Sequence, residues 1–450
     1  MSLSEYYIKA ARWLLPMPFT IAIFLSLITF IAALSIQQGE LIDASWELLK
    51  LWEEGLWNKP LMAFALQMML MLVLGHVLAS TNVFQTLISK VTVYCTSTSK
   101  AALIISFSSL IMSLLNWGLG LIFSAILCRK VGEYFKDKGQ QVNYSILGAS
   151  AYVGLMVWHG GLSGSAPLKI AEKGHFFEQD IGLIYLNRTI FSSMNLTSIF
   201  LLLILIPLLA FFLGKTSKKT ILPNWPLDNQ KNHEKVEMVL GAERIDRSRY
   251  IGKFIGLSLL LYLFFKVVKF PSVFNLGFLT PNFINLLLLA LGLFLHESLE
   301  TYVTKVENAI GSAAGILLQF PLYFGIMSLI SNSGLLDELA SFFIQISDQS
   351  SFPIFTLISA GIINVFVPSG GGQWAVQGPI VIEAAKALNV SISKSVMALA
   401  YGDQLTNMLQ PFWALPLLGI TGLKAKDILP YSFLFMLVGV LIFIFVLILF

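Results

Sequence analysis

The chain has 450 residues, of which 56% are hydrophobic and 12% are charged, and its formal net charge is +4. A soluble domain carries about 25% charged residues, so 29 basic and 25 acidic side chains are too few to cover a soluble globule of this length. These values exclude a soluble globular protein, a disordered chain, a collagen-like chain and a disulfide scaffold. They predict an all-α polytopic membrane protein.

Apolar runs long enough to cross a hydrocarbon core of roughly 30 Å follow one another along the chain, at 17–36, 60–80, 189–213, 251–270, 311–330 and 430–450. Shorter apolar runs lie near 144–159, 282–296 and 395–410. Two further apolar stretches, 101–131 and 353–387, are interrupted by Gly, Pro and Asn. Each of these two is either a pair of spans or a re-entrant hairpin. The first run is too long for the core of a cleaved signal peptide, so we expect a retained first span.

Loop charges predict the orientation, because cytoplasmic loops are enriched in Lys and Arg. Segment 37–58 has five acidic residues against one lysine, and segment 332–350 has three acidic residues and no basic one, so both belong outside. Segment 81–100 has two lysines and no acid, and segment 215–253 has nine basic residues against five acidic ones, so both belong inside. A cytoplasmic N-terminus satisfies all four assignments.

An internal repeat relates the two halves of the chain at offsets of 248 to 252 residues, matching Gln67, Asn116, Tyr152 and Pro167 with Gln319, Asn364, Tyr401 and Pro416. The loops at 81–100 and 332–350 follow equivalent spans but have opposite charge bias. The halves are therefore expected to be two inverted-topology repeats with broken helices or re-entrant hairpins, as in many secondary transporters. The predicted divisions are 1–213, the first membrane repeat with an N-terminal interfacial segment; 214–250, a cytoplasmic linker; 251–281, a linking span; and 282–450, the second, inverted repeat.

Polar, glycine-rich interruptions within apolar segments are candidates for a binding site, because irregular backbone at membrane depth survives only where it lines a cavity or is buried by protein. Free N–H groups at a helix N-terminus attract anions, and glycine lets the backbone approach a small ligand closely. The alternative is that the glycines serve only close helix packing. We expect the substrate to be bound by Asn116, Trp117, Gly118, Ser163, Gly164, Ser165, Ser369, Gly370, Gly371, Gly372 and Trp374.

Asp403 is the clearest single candidate, because a carboxylate within an apolar span is costly and usually functional. It is expected to bind a coupling ion, H⁺ or Na⁺, together with Asn364, Gln404 and Asn407. The alternative is that Asp403 lies at the membrane edge and is hydrated. His159 is interpreted as a packing residue rather than a ligand. The sequence predicts no metal site and no cofactor.

Several long motifs resemble the bacterial short-chain fatty acid transporter family, a branch of the ion-transporter superfamily. They are Asn116-Trp117-Gly118, Gly161-Leu162-Ser163-Gly164-Ser165, Val367-Pro368-Ser369-Gly370-Gly371-Gly372, Gln377-Gly378-Pro379 and Gln410-Pro411-Phe412-Trp413-Ala414-Leu415-Pro416. The resemblance covers nearly the whole chain. It implies a multi-pass inner-membrane carrier, not an enzyme, that moves short-chain fatty acids such as acetoacetate or butyrate. It also implies re-entrant hairpins and elevator-type movement.

The resulting hypothesis places a monocarboxylate between the two halves near mid-membrane. Ser163, Ser165, Ser369 and the N–H groups of residues 370–372 would hold its carboxylate, and Trp117 or Trp374 would contact its acyl chain. Partners are then the short-chain carboxylate and the lipid bilayer, with no nucleic acid, and a homodimer is one assembly that the sequence allows. A carrier of another small anion such as a dicarboxylate is the alternative. A membrane-embedded acyltransferase, a channel and a structural scaffold are the other classes considered.

Overall fold

A computed structural model describes residues 17–216, 220, 222–223, 241–270 and 276–450. These residues form helices and turns, with no strand among them. The predicted N-terminal interfacial segment, and most of the predicted linker at 214–250, lie outside the described residues. The all-helical class predicted from composition is thus confirmed.

The first half contains ten helices in its described residues. They are α1 (Pro18–Ile36), α2 (Leu41–Leu56), α3 (Lys59–Ala79), α4 (Asn82–Thr92), α5 (Thr98–Leu115), α6 (Trp117–Asp137), α7 (Tyr144–Tyr152), α8 (Ser165–Lys169), α9 (Glu178–Ile181) and α10 (Ser193–Thr216). Short 3₁₀ turns at Val153–Met156, Trp158–Gly160 and Leu186–Arg188 connect some of them.

The remaining helices begin after residue 241. They are α11 (Glu243–Asp246), α12 (Arg249–Val268), α13 (Pro281–Leu295), α14 (Leu299–Ile310), α15 (Ala314–Asn332), α16 (Leu335–Ile346), α17 (Phe352–Phe366), α18 (Gly370–Ala387), α19 (Ile392–Thr406), α20 (Pro411–Thr421) and α21 (Ala425–Leu449). Two 3₁₀ turns, Gly311–Ala313 and Asn407–Leu409, lie among them.

Seven helical stretches of the described chain are long and apolar enough to cross a membrane. They are Phe19–Ile36, Lys59–Ala79, Thr98–Leu115, Ser193–Lys215, Arg249–Val268, Leu299–Asn332 and Ala425–Leu449. Their outward faces carry large apolar side chains; Phe254 on α12 is 73% exposed and Leu441 on α21 is 68% exposed. Such faces suit a hydrocarbon solvent, so the prediction of a multi-pass membrane protein is confirmed.

Each of the two interrupted stretches folds back into a helical hairpin. In the first hairpin, α5 and α6 are joined at Asn116, and a side chain at Gly120 would collide with the backbone of Ser113. In the second hairpin, α17 and α18 are joined by residues 367–369, and the Gln377 Nε2 donates to the Ser359 Oγ at 3.1 Å. A straight helix would separate that last pair by about 27 Å. Both stretches are therefore hairpins rather than single kinked helices.

Two other segments interrupt a helix without reversing the chain. The first break, residues 153–164, separates α7 from α8 and contains two 3₁₀ turns. The second break, residues 407–410, separates α19 from α20 and contains one. The first break is tied to the first hairpin, because the Leu162 N–H donates to the Leu114 carbonyl oxygen at 2.8 Å.

The same order of elements occurs twice along the chain. A long apolar helix, a short amphipathic helix, a hairpin, a broken helix and a final long apolar helix follow one another as α3, α4, α5–α6, α7–α8 and α10, and again as α15, α16, α17–α18, α19–α20 and α21. The equivalences suggested by Gln67, Asn116 and Tyr152 fall on matching elements of the two series. The inversion of one series relative to the other stays a prediction from the loop charges.

Candidate functional site

Residues from the tips of the two hairpins and from the two breaks line one small cavity of about 30 Å³. Because small-ligand sites usually measure roughly 300–1,000 Å³, a ligand of several atoms would fit here only after the wall moves apart. The wall is apolar apart from the side chains of Ser165, Ser369 and Asn407 and the backbone of Gly370 and Gly371 at the tip of the second hairpin. The lining residues are Met68, Trp117, Leu155, Trp158, Ser165, Ile316, Phe320, Ser369, Gly370, Gly371, Asn407 and Trp413.

The second hairpin presents the N-terminus of α18 to this cavity. Ser369 is the N-cap residue, and its Oγ accepts from the Gly372 N–H at 3.2 Å. Gly370 and Gly371 occupy the first two helical positions, where N–H groups have no acceptor within the helix. Because both residues line the cavity and lack side chains, their N–H groups and the helix dipole favour an anion there.

The first hairpin also presents a helix N-terminus, but two of its backbone donors, the N–H groups of Trp117 and Leu119, already have acceptors. The Asn116 Oδ1 accepts from the Leu119 N–H at 2.8 Å, and the Asn116 Nδ2 donates to the Met71 carbonyl oxygen at 3.1 Å. The Trp117 N–H donates to the Ser163 Oγ at 2.9 Å. The tip is therefore fixed to α3 and to the first break, and only its Trp117 side chain reaches the cavity.

Three tryptophans form the apolar wall of the cavity. The Trp117 ring packs edge-on against the Trp413 ring, with centroids 5.3 Å apart, and lies 6.0 Å from the Trp158 ring. Rigid aromatic rings offer a large apolar surface that loses little side-chain entropy when a ligand binds. These rings would therefore face a short apolar chain beside the second tip once the cavity widens.

The first break contacts α19, one turn before the second break, through a buried hydrogen-bonded pair of side chains behind the cavity. The His159 Nδ1 lies 2.7 Å from the Asp403 Oδ2, and both side chains are at most 1% exposed. The neighbouring Gln404 Oε1 accepts from the His159 backbone N–H at 3.0 Å. His159, interpreted from the sequence as a packing residue, is buried and hydrogen-bonded to Asp403. Because Asp403 is only 1% exposed, it is not a freely hydrated carboxylate at the membrane edge.

Asn364 joins the second hairpin to the second break. Its Nδ2 donates to the Asp403 carbonyl oxygen at 2.7 Å and to the Asn407 Oδ1 at 3.0 Å. Gln410 returns a bond, because its Nε2 donates to the Asn364 carbonyl oxygen at 2.6 Å. The predicted coupling-ion residues therefore form one connected buried network.

The predicted substrate residues divide into two groups. Trp117, Ser165, Ser369, Gly370 and Gly371 line the cavity, and so does the predicted ion-site residue Asn407. The others lie behind the wall or beside it: Asn116, Gly118, Ser163, Gly164, Gly372 and Trp374.

Three of the residues behind the wall need a different role from the one expected. The Ser163 hydroxyl holds the first tip instead of facing the cavity. Trp374 is fully buried against the Phe177 ring, at 5.3 Å between centroids, so it cannot contact an acyl chain in the cavity. Gly118 lies against the Leu72 carbonyl oxygen, where its role is close packing of the first hairpin on α3.

Sequence reasoning missed an ion pair next to the cavity, in which Lys169 is buried and Glu172 is partly exposed. The Lys169 Nζ lies 2.7 Å from the Glu172 Oε2, and Gln67 and Asn282 bond to the same carboxylate. Lys169 is one helical turn beyond Ser165, and its amino group lies 5.4 Å from the centre of the Phe64 ring. The i, i+3 spacing of Lys169 and Glu172 was the available signal.

A wider cleft continues from the cavity along one face of α3. We call this cleft the vestibule. Along α3, Met68 lines the cavity, whereas Leu72 and His76 line the vestibule. Trp117 and Trp413 line both spaces. On α15 the order is opposite, because Gly315 lies in the vestibule and Phe320 in the cavity. The equivalent helices α3 and α15 therefore run antiparallel along the pathway. The pair of Lys169 and Glu172 lies on the other side of the cavity, beside Gln67.

Comparison of the sequence with known proteins assigns the chain to a family. The family model described as short chain fatty acid transporter matches residues 1–450. The chain belongs to the short-chain fatty acid transporter family. A protein of Escherichia coli (strain K12), named provisionally as a short-chain fatty acid transporter, is 36% identical over 424 residues, which are 94% of this chain and 93% of that protein. One from Haemophilus influenzae with the same name is 36% identical over 431 residues, covering 93% and 92% of the two chains.

Two solved transporters share the fold at low sequence identity. The YdaH transporter of Alcanivorax borkumensis, whose structure has an unusual topology, aligns with a TM-score of 0.59 at 16% identity, over 96% of this chain and 98% of that chain. MtrF of Neisseria gonorrhoeae, from a class of antimetabolite efflux pumps, aligns with a TM-score of 0.60 at 13% identity, over 97% of both chains. This protein is thus a transporter and not an enzyme. Within its described residues no group of three or more His, Cys, Asp and Glu is arranged to hold a metal ion.

Proposed function

We propose that this protein is a secondary transporter that moves short-chain monocarboxylates such as butyrate or acetoacetate across the inner membrane of a bacterium, coupled to an ion. The observation that carries the proposal is the composition of the cavity. One side presents the backbone N–H groups of Gly370 and Gly371, and the facing side presents tryptophan rings. A small anion with a short apolar tail matches both sides.

The carboxylate would accept from the N–H groups of the second tip and from the hydroxyl of Ser165. Ser369 lines the same edge, although its Oγ already accepts from the Gly372 N–H. The acyl chain would rest on Trp117, Trp158 and Trp413. Burial of each methylene favours binding by about 0.8 kcal/mol, so the rings contribute affinity while the tip selects for the carboxylate.

Alternating access is supported by the different state of the pathway on the two sides of the cavity. The vestibule leads past Leu72 and His76 toward the end of α3, which the loop charges predict to be cytoplasmic. On the other side, the Phe64 and Phe320 rings and the pair of Lys169 and Glu172 occupy the pathway. Opening that side would separate Lys169 and Glu172 from Gln67 and Asn282.

An inverted repeat supplies a physical basis for such an exchange, because two related halves can adopt each other's conformation around a fixed site. The antiparallel course of α3 and α15 along the pathway supports the inversion. A cytoplasmic N-terminus follows from the same charge pattern.

A dicarboxylate carrier is the alternative. A second carboxylate would need a further donor set or a cation, and the cavity wall contains no Lys or Arg among its lining residues. The nearby Lys169 amino group is bonded to Glu172, so its charge is already balanced. The wall therefore favours one carboxylate over two.

Counterflow in proteoliposomes tests the proposal. Vesicles preloaded with unlabelled butyrate should accumulate labelled butyrate transiently and saturably, and unlabelled acetoacetate outside should compete. Protein-free vesicles measure the leak of the protonated acid. Exchange no faster than that leak would reject the proposed substrate, and competition by succinate but not by acetoacetate would favour the dicarboxylate alternative.

A further inference from the structure

The buried pair of His159 and Asp403 has a protonation state that its contacts determine. The Ala166 backbone N–H donates to the His159 Nε2 at 3.1 Å. Because a backbone N–H can only donate, Nε2 must be unprotonated, and a neutral ring must then carry its proton on Nδ1. That proton points at the Asp403 Oδ2, which lies 2.7 Å away.

The second carboxylate oxygen of Asp403, Oδ1, makes no hydrogen bond with His159. This oxygen is buried and has no hydrogen-bond partner among the described residues, and an unpartnered carboxylate oxygen in a low-dielectric interior is strongly unfavourable. A proton added to Oδ1 removes the buried negative charge, which is the most costly part of this arrangement. The other position, Nε2 of His159, is occupied by the Ala166 N–H. The pair therefore carries one negative charge without the added proton and none with it.

The pair lies directly behind the anion-attracting tip. A Cβ added at Gly370 would lie 2.9 Å from the His159 Cε1 and 2.6 Å from the Trp158 ring. No further atom therefore fits between the His159 ring and the Gly370 backbone. The Trp158 ring stacks on the His159 ring, with centroids 4.6 Å apart and an interplanar angle of 15°. Trp158 also lines the cavity. A charge on Asp403 would thus repel a carboxylate in the cavity through a weakly screening interior.

Other ionisable groups on the surrounding helices do not balance this charge. Tyr401, two residues before Asp403, donates to the Asn195 Oδ1 at 3.0 Å, and Lys169 on α8 is bonded to Glu172. The rest occur toward the far ends of the helices that pack against the pair: Lys100, Glu383, Lys386, Lys394, Lys426, Asp427 and Tyr431.

From these contacts we infer that the coupling ion is a proton, and that the pair of His159 and Asp403 binds it in step with the substrate. The inference rests on the proposed function and names its ion. One proton enters at the Asp403 Oδ1 as one carboxylate enters the cavity, so the occupied site gains no net charge. Proton and monocarboxylate then cross together, and the cycle responds to a pH gradient but not to the membrane potential.

Proton uptake on binding tests this directly in the purified, full-length protein. Butyrate is added in weakly buffered solution with a pH indicator, at a pH where the free acid is ionised. The expected result is one proton taken up per butyrate bound. Over the range in which the pair is ionised in the free protein, butyrate affinity should fall about tenfold for each unit of rising pH, because one proton is linked to binding.

Asp403→Asn gives the matched variant, since an amide imitates the neutral carboxyl group. It should bind butyrate with an affinity that no longer depends on pH, and without proton uptake. His296→Asn is the control, because His296 is also buried but bonds to the Val77 carbonyl oxygen, far from Asp403 along the chain; it should behave like the wild type.

The outcomes separate the two proposals. Wild-type binding of butyrate without proton uptake, or binding that requires Na⁺ and is independent of pH, would overturn the proton inference and leave the monocarboxylate site standing. The sodium result would point instead to the side-chain oxygens of Asn364 and Gln410, which have no hydrogen-bond partner in the described part of the chain. Absence of butyrate binding at any pH would reject the proposed function itself.

Discussion

The two hairpin tips occupy equivalent places in the two series of helices and reach the same cavity, but they differ in how many backbone donors they leave open. At the first tip, Asn116 and Ser163 occupy the N–H groups of Leu119 and Trp117. At the second tip, Ser369 accepts only from Gly372, and the preceding glycines face the cavity. The first tip is thus a fixed wall, and the second is the proposed anion site. A helix N-terminus binds a ligand only where its donors are not already used.

The largest expected effect comes from removing a donor of the second tip. Gly370→Pro deletes one N–H at a helix position that accepts proline, and Ser369 before it already has the extended backbone that proline requires. A hydrogen bond to a charged group contributes about 1.5–3 kcal/mol, so butyrate affinity should fall roughly 10- to 100-fold relative to Gly370→Ala.

Gly370→Ala is the matched variant, because it adds a Cβ in the same place and keeps the N–H. Equilibrium binding of labelled butyrate measures both variants, and Gly419→Ala, which meets no atom within 4 Å, controls for substitution in a helix. Equal affinities for the alanine and proline variants would show that the Gly370 N–H does not bind the carboxylate.

At the first tip the same kind of change should affect stability instead. Ser163→Ala leaves the Trp117 N–H buried without an acceptor, which costs about 1–3 kcal/mol. The midpoint of thermal unfolding in detergent should fall, while the butyrate affinity of the folded protein changes little. Ser432→Ala is the control, since the Ser432 hydroxyl is buried and has no partner in the described part of the chain. A large loss of affinity with an unchanged midpoint would assign Ser163 to the substrate.

A smaller effect is expected on chain-length preference. Trp117→Ala opens space between the first tip and Trp413, so longer acids gain contacts that butyrate cannot make. About 0.8 kcal/mol per buried methylene corresponds to roughly fourfold, and hexanoate should gain on butyrate in competition assays. Trp57→Ala, which truncates a ring that is 64% exposed, should leave the preference unchanged. An unaltered preference in the Trp117 variant would place the acyl chain elsewhere.

The smallest effect should be at Trp374, which the sequence placed in the site and the structure places behind it. Its ring packs against Phe177, and its Nε1 has no acceptor among the described residues. Trp374→Phe should therefore preserve butyrate affinity and chain-length preference. A changed preference for chain length in this variant would show that the ring reaches the substrate.

The positions of the breaks could be predicted from sequence because glycine, proline and asparagine interrupt apolar runs at recognisable points. The role of each polar residue could not, since it depends on which donor its side chain meets. Ser163 and Ser165 are two residues apart in one motif, yet the first holds a backbone N–H and the second lines the cavity. The two hydroxyls have different roles because α8 begins at Ser165 and leaves Ser163 in the preceding break.

The ion pairs show the same limit. Asp403 was recognisable as a costly carboxylate in an apolar span, but its partner, His159, lies 244 residues away in sequence. Trp158 and Trp413 flanked predicted breaks, and nothing in their spacing distinguished them from Trp374. Lys169 follows a break by only four residues, and its burial beside Glu172 and Gln67 appears only when α3 and α8 are brought together.

Diffraction from crystals grown with 4-bromobutyrate would locate the bound substrate, because bromine scatters anomalously and marks the end of the acyl chain. We expect a single bromine peak among Trp117, Trp158 and Trp413, with the carboxylate at the N–H groups of Gly370 and Gly371. A bromine peak elsewhere, with the cavity unoccupied, or a carboxylate bound at the first tip, would contradict this expectation.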